Sequence, residues 1–334
     1  MAAAGSAHGL EVGTEMELNK HNFWRSRVGL LWWLMALACY FIFPDYRGFG
    51  ASVLVMTLFA LSFGLALGFA GIISLGHAMY FGIGAYVAGR LALAGWQEPI
   101  SGVLISGLVT GVLAIGIGFV ILRLSGLPLL MVTMALSVIV FEAANKATSI
   151  TGGDDGLTGV SFKPVLGIFN WSLDGNVQFL YSLTWLAVVF LFARRLVSSP
   201  YGLSMVGIRE NSLRMSLLGA PVLRRLVVMY ALCASFAGIA GALLTQNTAF
   251  VGLQVLSLET SVDVLVMVVL GGAFSLYGAL LGAPVYLIVK YVTQQWNPFY
   301  WMLVIGVLLM GVTFFLKGGI AGFLSRIFQN RRTE

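Results

Sequence analysis

Residues 50–69 read GASVLVMTLFALSFGLALGF, an uninterrupted stretch without a charged side chain. A helix needs about 20 apolar residues to cross the hydrocarbon core of a membrane, so this stretch predicts a transmembrane helix. The whole chain has the same character: 59% of its residues are hydrophobic and 10% are charged, against roughly 25% charged residues in soluble domains. We therefore predict an all-α fold, a polytopic transmembrane helical bundle. The other clear apolar runs are 28–43, 72–93, 100–122, 127–142, 179–193, 226–246 and 299–316.

The positions of arginine and lysine predict the orientation of this bundle. The loop 194–225 contains six arginines and one acidic residue, Glu210, and such basic loops stay on the cytoplasmic side. The same rule makes both tails, 1–27 and 317–334, cytoplasmic. We expect no cleaved signal peptide, because the N-terminal residues lack a short apolar core followed by a cleavage site. The longest external loop is then 143–178, within a membrane domain that covers 28–316.

A longer apolar stretch, 260–290, carries Gly271, Gly272 and Ser275 near its middle. If both tails are cytoplasmic, the number of crossings must be even. We therefore prefer two short passes in this stretch, which brings the total to about ten. A single long, tilted helix is the alternative. Short passes must be shielded by protein or must line a cavity, so the stretch is a candidate for part of a translocation path.

The segment 68–86, GFAGIISLGHAMYFGIGAY, is also interrupted by small and polar residues. Unwound backbone in a broken transmembrane helix supplies hydrogen-bond donors and acceptors to a solute. The alternative is tight helix packing, in which His77 caps a turn or bonds a carbonyl group. The residues that we predict to line the path are Gly71, Ser74, Gly76, His77, Gly271, Gly272 and Ser275.

A turn-rich segment, TGGDDGLTGV at 151–160, lies in the predicted external loop. Its glycines and acidic residues are typical of tight turns. The two carboxylates could meet a basic patch on a soluble partner, or the segment could be a solvated turn. The candidate residues for an external partner are Thr151, Gly152, Gly153, Asp154 and Asp155.

The predicted cytoplasmic loop contains apolar residues at helical spacing, which indicates a short helix over 204–218 that ends at Gly219. A short helix inserted into a groove of another protein is a common recognition mode. The alternative is a helix on the lipid surface, with its arginines on anionic headgroups. The candidate contact residues are Arg209, Glu210, Asn211, Arg214, Leu218 and Gly219.

Several kinds of chemistry have no sequence signature in this chain. We find no phosphate-binding loop, no pair of histidines at metal-ligand spacing, and no Ser/His/Asp or Cys/His arrangement in a plausible site. We therefore predict that the protein is not an enzyme, that it binds no cofactor or metal, and that any ATP is hydrolysed by another subunit. The formal net charge of +6 is concentrated in the cytoplasmic loop and tails, so it does not predict nucleic-acid binding.

These segments, in this order, resemble the permeases of branched-chain amino acid ABC importers, specifically the M-type permease, over about residues 50–323. In place of the acidic and alanine residues that the family often has before the loop glycine, this chain has residues 214–218, RMSLL, so the detail of the ATPase contact departs from the pattern. The blocks that carry the resemblance are GFAG (68–71), SLGHA (74–78), FGIGAY (81–86), TGG (151–153), DGLTG (155–159), IREN (208–211), LG (218–219), AG (237–238), AGA (240–242), MVVLGG (267–272) and SLYG (275–278).

The resemblance implies a location in the bacterial inner membrane and three kinds of protein partner. These are a homologous H-type permease subunit, two cytoplasmic ATPase subunits that bind ATP and Mg²⁺, and a periplasmic substrate-binding protein. It also implies that the loop around 201–219 is the coupling helix. Branched-chain or related amino acids are the expected solutes, but importers of urea, amides and aromatic acids share these blocks.

Two other classes of membrane protein remain as alternatives. An ion-coupled secondary transporter usually keeps ionisable residues inside the membrane; the candidates here are Arg90, Glu142, Asp263 and Lys290, which we place near the ends of the spans. A structural membrane scaffold is the third class, and its deletion would cause no transport defect.

Overall fold

The computed structural model describes residues 28–169, 171, 175–296, 300–315 and 318–323, and these residues form a bundle of helices. The predicted tails therefore lie outside the described residues, apart from 318–323. Apart from short turns, the described residues contain two isolated β-bridges and no extended β-strand. The helices are α1 (Val28–Ile42), α2 (Arg47–Ala70), α3 (His77–Leu93), α4 (Pro99–Ile121), α5 (Leu127–Lys146), α6 (Asn176–Val197), α7 (Pro200–Glu210), α8 (Ser212–Leu217), α9 (Val222–Thr248), α10 (Leu258–Gly271), α11 (Leu276–Trp296) and α12 (Trp301–Phe315).

The helical class predicted from hydropathy is confirmed. Ten of these helices, all except α7 and α8, coincide with the predicted passes. Six segments in the described part are long and apolar enough to cross a membrane: Pro44–Ala70, α4, α5, α6, α9 and α11. Helices α3 and α10 are shorter, with 17 and 14 residues. The chain is a multi-pass membrane protein.

Helices α2 and α9 form the centre of the bundle. Helix α9 packs against α2, α3 and α4, while α2 also packs against α6 and α11. Large aromatic side chains fill the contacts; the rings of Phe59 and Phe81, for example, are 4.5 Å apart. Between helices in lipid there is little hydrophobic driving force, so close packing of this kind supplies much of the association energy.

Glycines allow the closest helix contacts. A β-carbon on Gly271 would collide with the carbonyl oxygen of Gly278, and one on Gly282 would collide with that of Met267. These contacts pair the end of α10 with the start of α11 in opposite directions. The stretch 260–290 is therefore an antiparallel hairpin and not one long helix, although α11 continues beyond the expected end and has 21 residues.

Two long helices are each followed by a residue in the left-handed conformation and then by a segment that is not α-helical. Helix α2 ends at Gly71, with φ of 68°, and residues 71–76 form the α2–α3 break. The expected span 72–93 is therefore helical only from His77. Helix α9 ends at Ala249, with φ of 53°, and residues 249–257 form the α9–α10 break.

The two helices that follow the breaks start side by side inside the bundle. The backbone N–H of Ala78, at the start of α3, donates to Ser261 Oγ in α10 at 3.1 Å. The breaks themselves lie towards opposite ends of the bundle, since α2 and α9 run in opposite directions. We call the end that carries α7 and α8 the α7 end, and the other the far end.

Candidate functional site

The loop between α6 and α9 contains two helices rather than the single helix predicted over 204–218. Ser199 caps α7 by accepting a hydrogen bond from the N–H of Gly202 at 3.3 Å. Asn211 then leaves the helical conformation, with φ of −157° and ψ of 95°, and its Oδ1 accepts the N–H of Arg214 at 2.8 Å. The asparagine therefore ends α7 and caps α8, because a short amide side chain satisfies a free N–H at a helix start.

Helix α7 is fixed to the bundle by its buried face. Met205 and Ile208 are buried against the core, and the hydroxyl group of Tyr201 donates to the carbonyl oxygen of Arg225 at 2.6 Å. Burial raises the pKa of Tyr201 to about 12, so this hydroxyl keeps its proton at neutral pH.

The predicted helix end at Gly219 is confirmed. Gly219 has φ of 84°, and the N–H of Ala220 bonds back to the carbonyl oxygen of Met215 at 3.1 Å. This is the Schellman arrangement, which needs a residue that tolerates the left-handed conformation.

Helix α8 and its neighbours present an exposed surface. Leu213, Leu217 and Leu218 are 70%, 82% and 75% exposed, and Glu210 and Arg214 beside them are also exposed. An apolar surface rimmed by charges is typical of a protein contact. We call these five residues the α8 surface.

Arg209 points the other way, into the bundle. Its guanidinium group donates to the carbonyl oxygen of Gly68, near the end of α2, and lies 5.0 Å from the centre of the Phe274 ring. Phe274 is at the tip of the α10–α11 hairpin. Arg209 therefore connects the α8 surface to the α2–α3 break and to the hairpin. The sequence marked Arg209 as a loop residue, but it contains no signal for the contact with Phe274.

The predicted path residues fall into two groups. Ser74, Gly76 and His77 are buried beside α2, and Nε2 of His77 is 2.9 Å from Ser62 Oγ. This contact, and the stacking of the imidazole on Phe59 with ring centres 5.5 Å apart, agree with the packing alternative for His77. Sequence reasoning missed Ser62, which is one small polar residue in an apolar run.

The second group lies at the hairpin tip. Gly271 and Gly272 are buried, Ser275 is partly exposed, and a β-carbon on Gly68 would collide with the carbonyl oxygen of the neighbouring Ala273. Gly71 is exposed in the α2–α3 break. The lining of a solute path by these two groups stays a prediction.

The predicted partner loop lies at the far end. Thr151 Oγ1 donates to the carbonyl oxygen of Ala147 at 2.9 Å and accepts the N–H of Gly153 at 3.2 Å. The carboxylates of Asp154 and Asp155 are exposed. Gly152 is also part of this turn. After the turn, the chain pairs with the α9–α10 break through the β-bridge between Leu157 and Val251. The role of the loop towards a partner stays a prediction.

The placement of Asp263 and Lys290 near span ends stays a prediction: Asp263 lies five residues after the start of α10, and Lys290 lies six residues before the end of α11. Asp263 Oδ2 is 2.7 Å from Lys290 Nζ, so the ion pair joins the two helices of the hairpin. Arg90 and Glu142 are exposed, within five residues of the ends of α3 and α5.

Comparison with known proteins agrees with this architecture. A sequence profile of the family described as "Branched-chain amino acid transport system / permease component" matches residues 48–313. The chain is 29% identical over 307 residues to the "High-affinity branched-chain amino acid transport system permease protein LivM" of Salmonella typhimurium, covering 83% of this chain and 71% of that protein. The protein of the same name from Escherichia coli gives the same identity and coverage. No solved structure matches significantly.

Proposed function

Since the chain belongs to the branched-chain amino acid transport permease family, we propose that it is a membrane subunit of an ATP-binding-cassette importer. In this proposal it forms half of the translocation path in a bacterial inner membrane, beside a homologous H-type permease. The solute is a branched-chain or related amino acid. A periplasmic binding protein delivers the solute, and two cytoplasmic ATPase subunits bind ATP and Mg²⁺ and supply the energy.

The observation that carries the proposal is the opposite orientation of Arg209 and the α8 surface. Three exposed leucines offer an apolar contact to a separate protein, while Arg209, in the preceding helix, reaches the end of α2 and the hairpin tip. A movement of the ATPase subunits against α8 would therefore be transmitted to both structures. Such a movement shifts the population between inward-facing and outward-facing states of the bundle.

The charge distribution supports the orientation. The arginines of the loop 194–225 lie at the α7 end, which is the cytoplasmic side by the positive-inside rule. Both tails are then cytoplasmic, and the turn at 151–155 faces the periplasm. There the carboxylates of Asp154 and Asp155 are available to basic residues of the binding protein.

The α8 surface provides the direct test. In membranes that contain the full chain, the H-type subunit and the ATPases, Leu217→Asp is expected to abolish co-purification of the ATPase subunits, because it puts a charge into an apolar contact. The matched control is Ile168→Asp at the far end, where the side chain is 74% exposed. ATPase subunits that remain bound to Leu217→Asp, with normal uptake, would contradict the proposal.

The ion pair inside the hairpin favours one rival function, ion-coupled transport, because ionisable residues at that depth are common in proton and sodium pathways. The two functions differ in energy source. Uptake by the reconstituted chain in a proton or sodium gradient, without ATPase subunits, would support the rival. Uptake that depends on ATP and on the ATPases would support the importer.

A further inference from the structure

The α10–α11 hairpin contains a complete ion pair with a third polar partner. Asp263 Oδ2 is 2.7 Å from Lys290 Nζ, and the hydroxyl group of Tyr286 donates to Asp263 Oδ1 at 2.5 Å. Both oxygens of the carboxylate therefore have a partner, and the two partners come from one helix while the acid comes from the other.

This pair lies deep in the bundle. The hairpin tip is next to Gly68 at the α7 end, and Asp263 precedes Gly272 at this tip by nine residues. At a rise of 1.5 Å per residue, its Cα is about 13 Å from the tip. With the tip at the edge of a hydrocarbon core about 30 Å thick, the carboxylate is near the middle of the core. Ionisable groups at such a depth are costly, and they mark solute or ion paths.

The pair is also accessible from outside the chain. The side chains of Lys290 and Asp263 are 21% and 14% exposed. The neighbouring Val262 is 41% exposed, and Glu259, one turn away, is also exposed. Helix α10 packs beside α5, which is itself largely exposed. A carboxylate such as that of Glu259 is unfavourable against lipid at this depth, so this face borders water or protein.

We propose that Asp263 and Lys290 form a binding site for a zwitterionic amino acid at half the depth of the membrane. The ammonium group of the solute replaces Lys290 at Asp263 Oδ2, and the carboxylate of the solute binds Lys290 Nζ. This site deepens the proposed function and rests on it, since it assumes that the chain conducts amino acids.

The surroundings of the pair allow this exchange. Tyr286 holds Oδ1 and so keeps the carboxylate in place when Lys290 leaves Oδ2. Lys290 Nζ is already 4.4 Å from the centre of the Trp301 ring, and an aromatic face stabilises a cation that has lost its ion partner. Because both charges remain paired in the empty and in the occupied site, neither is left alone in the membrane.

Removing both charges tests whether the ion pair binds a solute or only holds the two helices together. The double variant Asp263→Asn with Lys290→Met leaves no unpaired charge, so we expect it to fold. A wild-type yield of assembled complexes and a wild-type unfolding temperature check this. In proteoliposomes with the full importer, leucine uptake is expected to fall by about tenfold or more, since each end of the solute loses its charged partner. The control, Arg90→Gln with Glu142→Gln, removes two exposed charges and should retain uptake. Normal uptake by the first double variant would overturn the site.

A labelling experiment tests the site without ATP. In a Cys39→Ser background, Val262→Cys is expected to react with a charged, water-soluble thiol reagent, and leucine should slow the reaction more than leucine amide, which lacks the carboxylate. Leu108→Cys, at 67% exposure in the apolar face of α4, is the unreactive control. The site would be overturned if Val262→Cys reacted as slowly as this control, or if leucine did not slow its labelling. If the wild type fails to couple uptake to ATP but leucine still protects, the energy source is wrong and the site stands.

Discussion

The α2–α3 break and the α9–α10 break are built alike and lie at opposite ends of the bundle, but they have different neighbours. Each follows a long central helix that ends in the left-handed conformation, at Gly71 and at Ala249. The first lies against Arg209 at the α7 end. The second is covered at the far end by the turn that leads to Leu157.

This difference assigns separate tasks to the two breaks. Among the described residues, Arg209 links the α2–α3 break to the helix before the α8 surface, while the α9–α10 break pairs with the chain that follows the predicted partner loop. The helices that follow the two breaks are in direct contact, through the hydrogen bond from the N–H of Ala78 to Ser261 Oγ. In the proposed importer, alternating access would require a connection between the two ends, and this contact could provide it.

The largest expected effect comes from Gly71→Ala. An alanine at φ of 68° is strained, and its β-carbon would be 2.8 Å from Arg209 Cγ, so we expect a loss of about 2–3 kcal/mol of stability. Thermal unfolding in nanodiscs measures it. The control is Gly48→Ala at the start of α2, where a β-carbon would have nothing within 4 Å. Equal unfolding temperatures of the two variants would show that the break tolerates a side chain.

Arg209→Ala tests the connection to the α8 surface. Without the guanidinium group, ATP hydrolysis is expected to continue while uptake falls by about tenfold, equivalent to about 1.4 kcal/mol. Uptake and hydrolysis are measured in the same proteoliposomes. Arg195→Ala, which removes an exposed arginine at the same end, is the control, and fully coupled transport by Arg209→Ala would refute the connection.

Ser261→Ala tests the contact between the two short helices. It removes the partner of a buried N–H at the start of α3, and we expect a loss of about 1 kcal/mol. Thr184→Ala removes an exposed hydroxyl that bonds only within its own helix and should have a smaller effect on the unfolding temperature. A reversed order of the two variants would contradict a structural role for this contact.

The smallest effect is expected from Ala249→Gly. Glycine adopts the left-handed conformation without strain, but it also gains freedom in the unfolded chain, so the net stabilisation should be about 1 kcal/mol or less. A rise in unfolding temperature for Ala249→Gly, beside a fall for Gly71→Ala, would show that both breaks need this conformation. A fall in both would show that Ala249 is held by its side chain.

The sequence predicted the helices better than their ends and contacts. Hydropathy identified the ten apolar helices, and the glycines between α10 and α11 indicated the reversal. The break at Asn211 was missed, because the preceding and following residues continue the helical spacing while an asparagine side chain caps the next turn. The sequence indicated an interruption within 68–86, but only the tertiary structure placed it at residues 71–76, because residues 72–76 are nearly as apolar as a helix.

The candidate site was predicted only in part for a similar reason. Arg209 and the exposed leucines were identified from their local spacing. The partners Gly68 and Phe274 are distant along the chain, and nothing in the spacing around Arg209 points to them. The pairing of Asp263 with Lys290 was not predicted, because it depends on how the chain folds back at the hairpin tip.

By itself, the sequence determined that this is a helical membrane protein, roughly where its helices run, and which loop carries the basic charge. Those properties follow from the local cost of placing polar groups in lipid. Only the tertiary structure decided that Arg209 reaches both α2 and the hairpin, that α3 and α10 begin side by side, and that Asp263 and Lys290 pair across the hairpin. These are contacts between distant residues, and their geometry depends on the packing of the whole bundle.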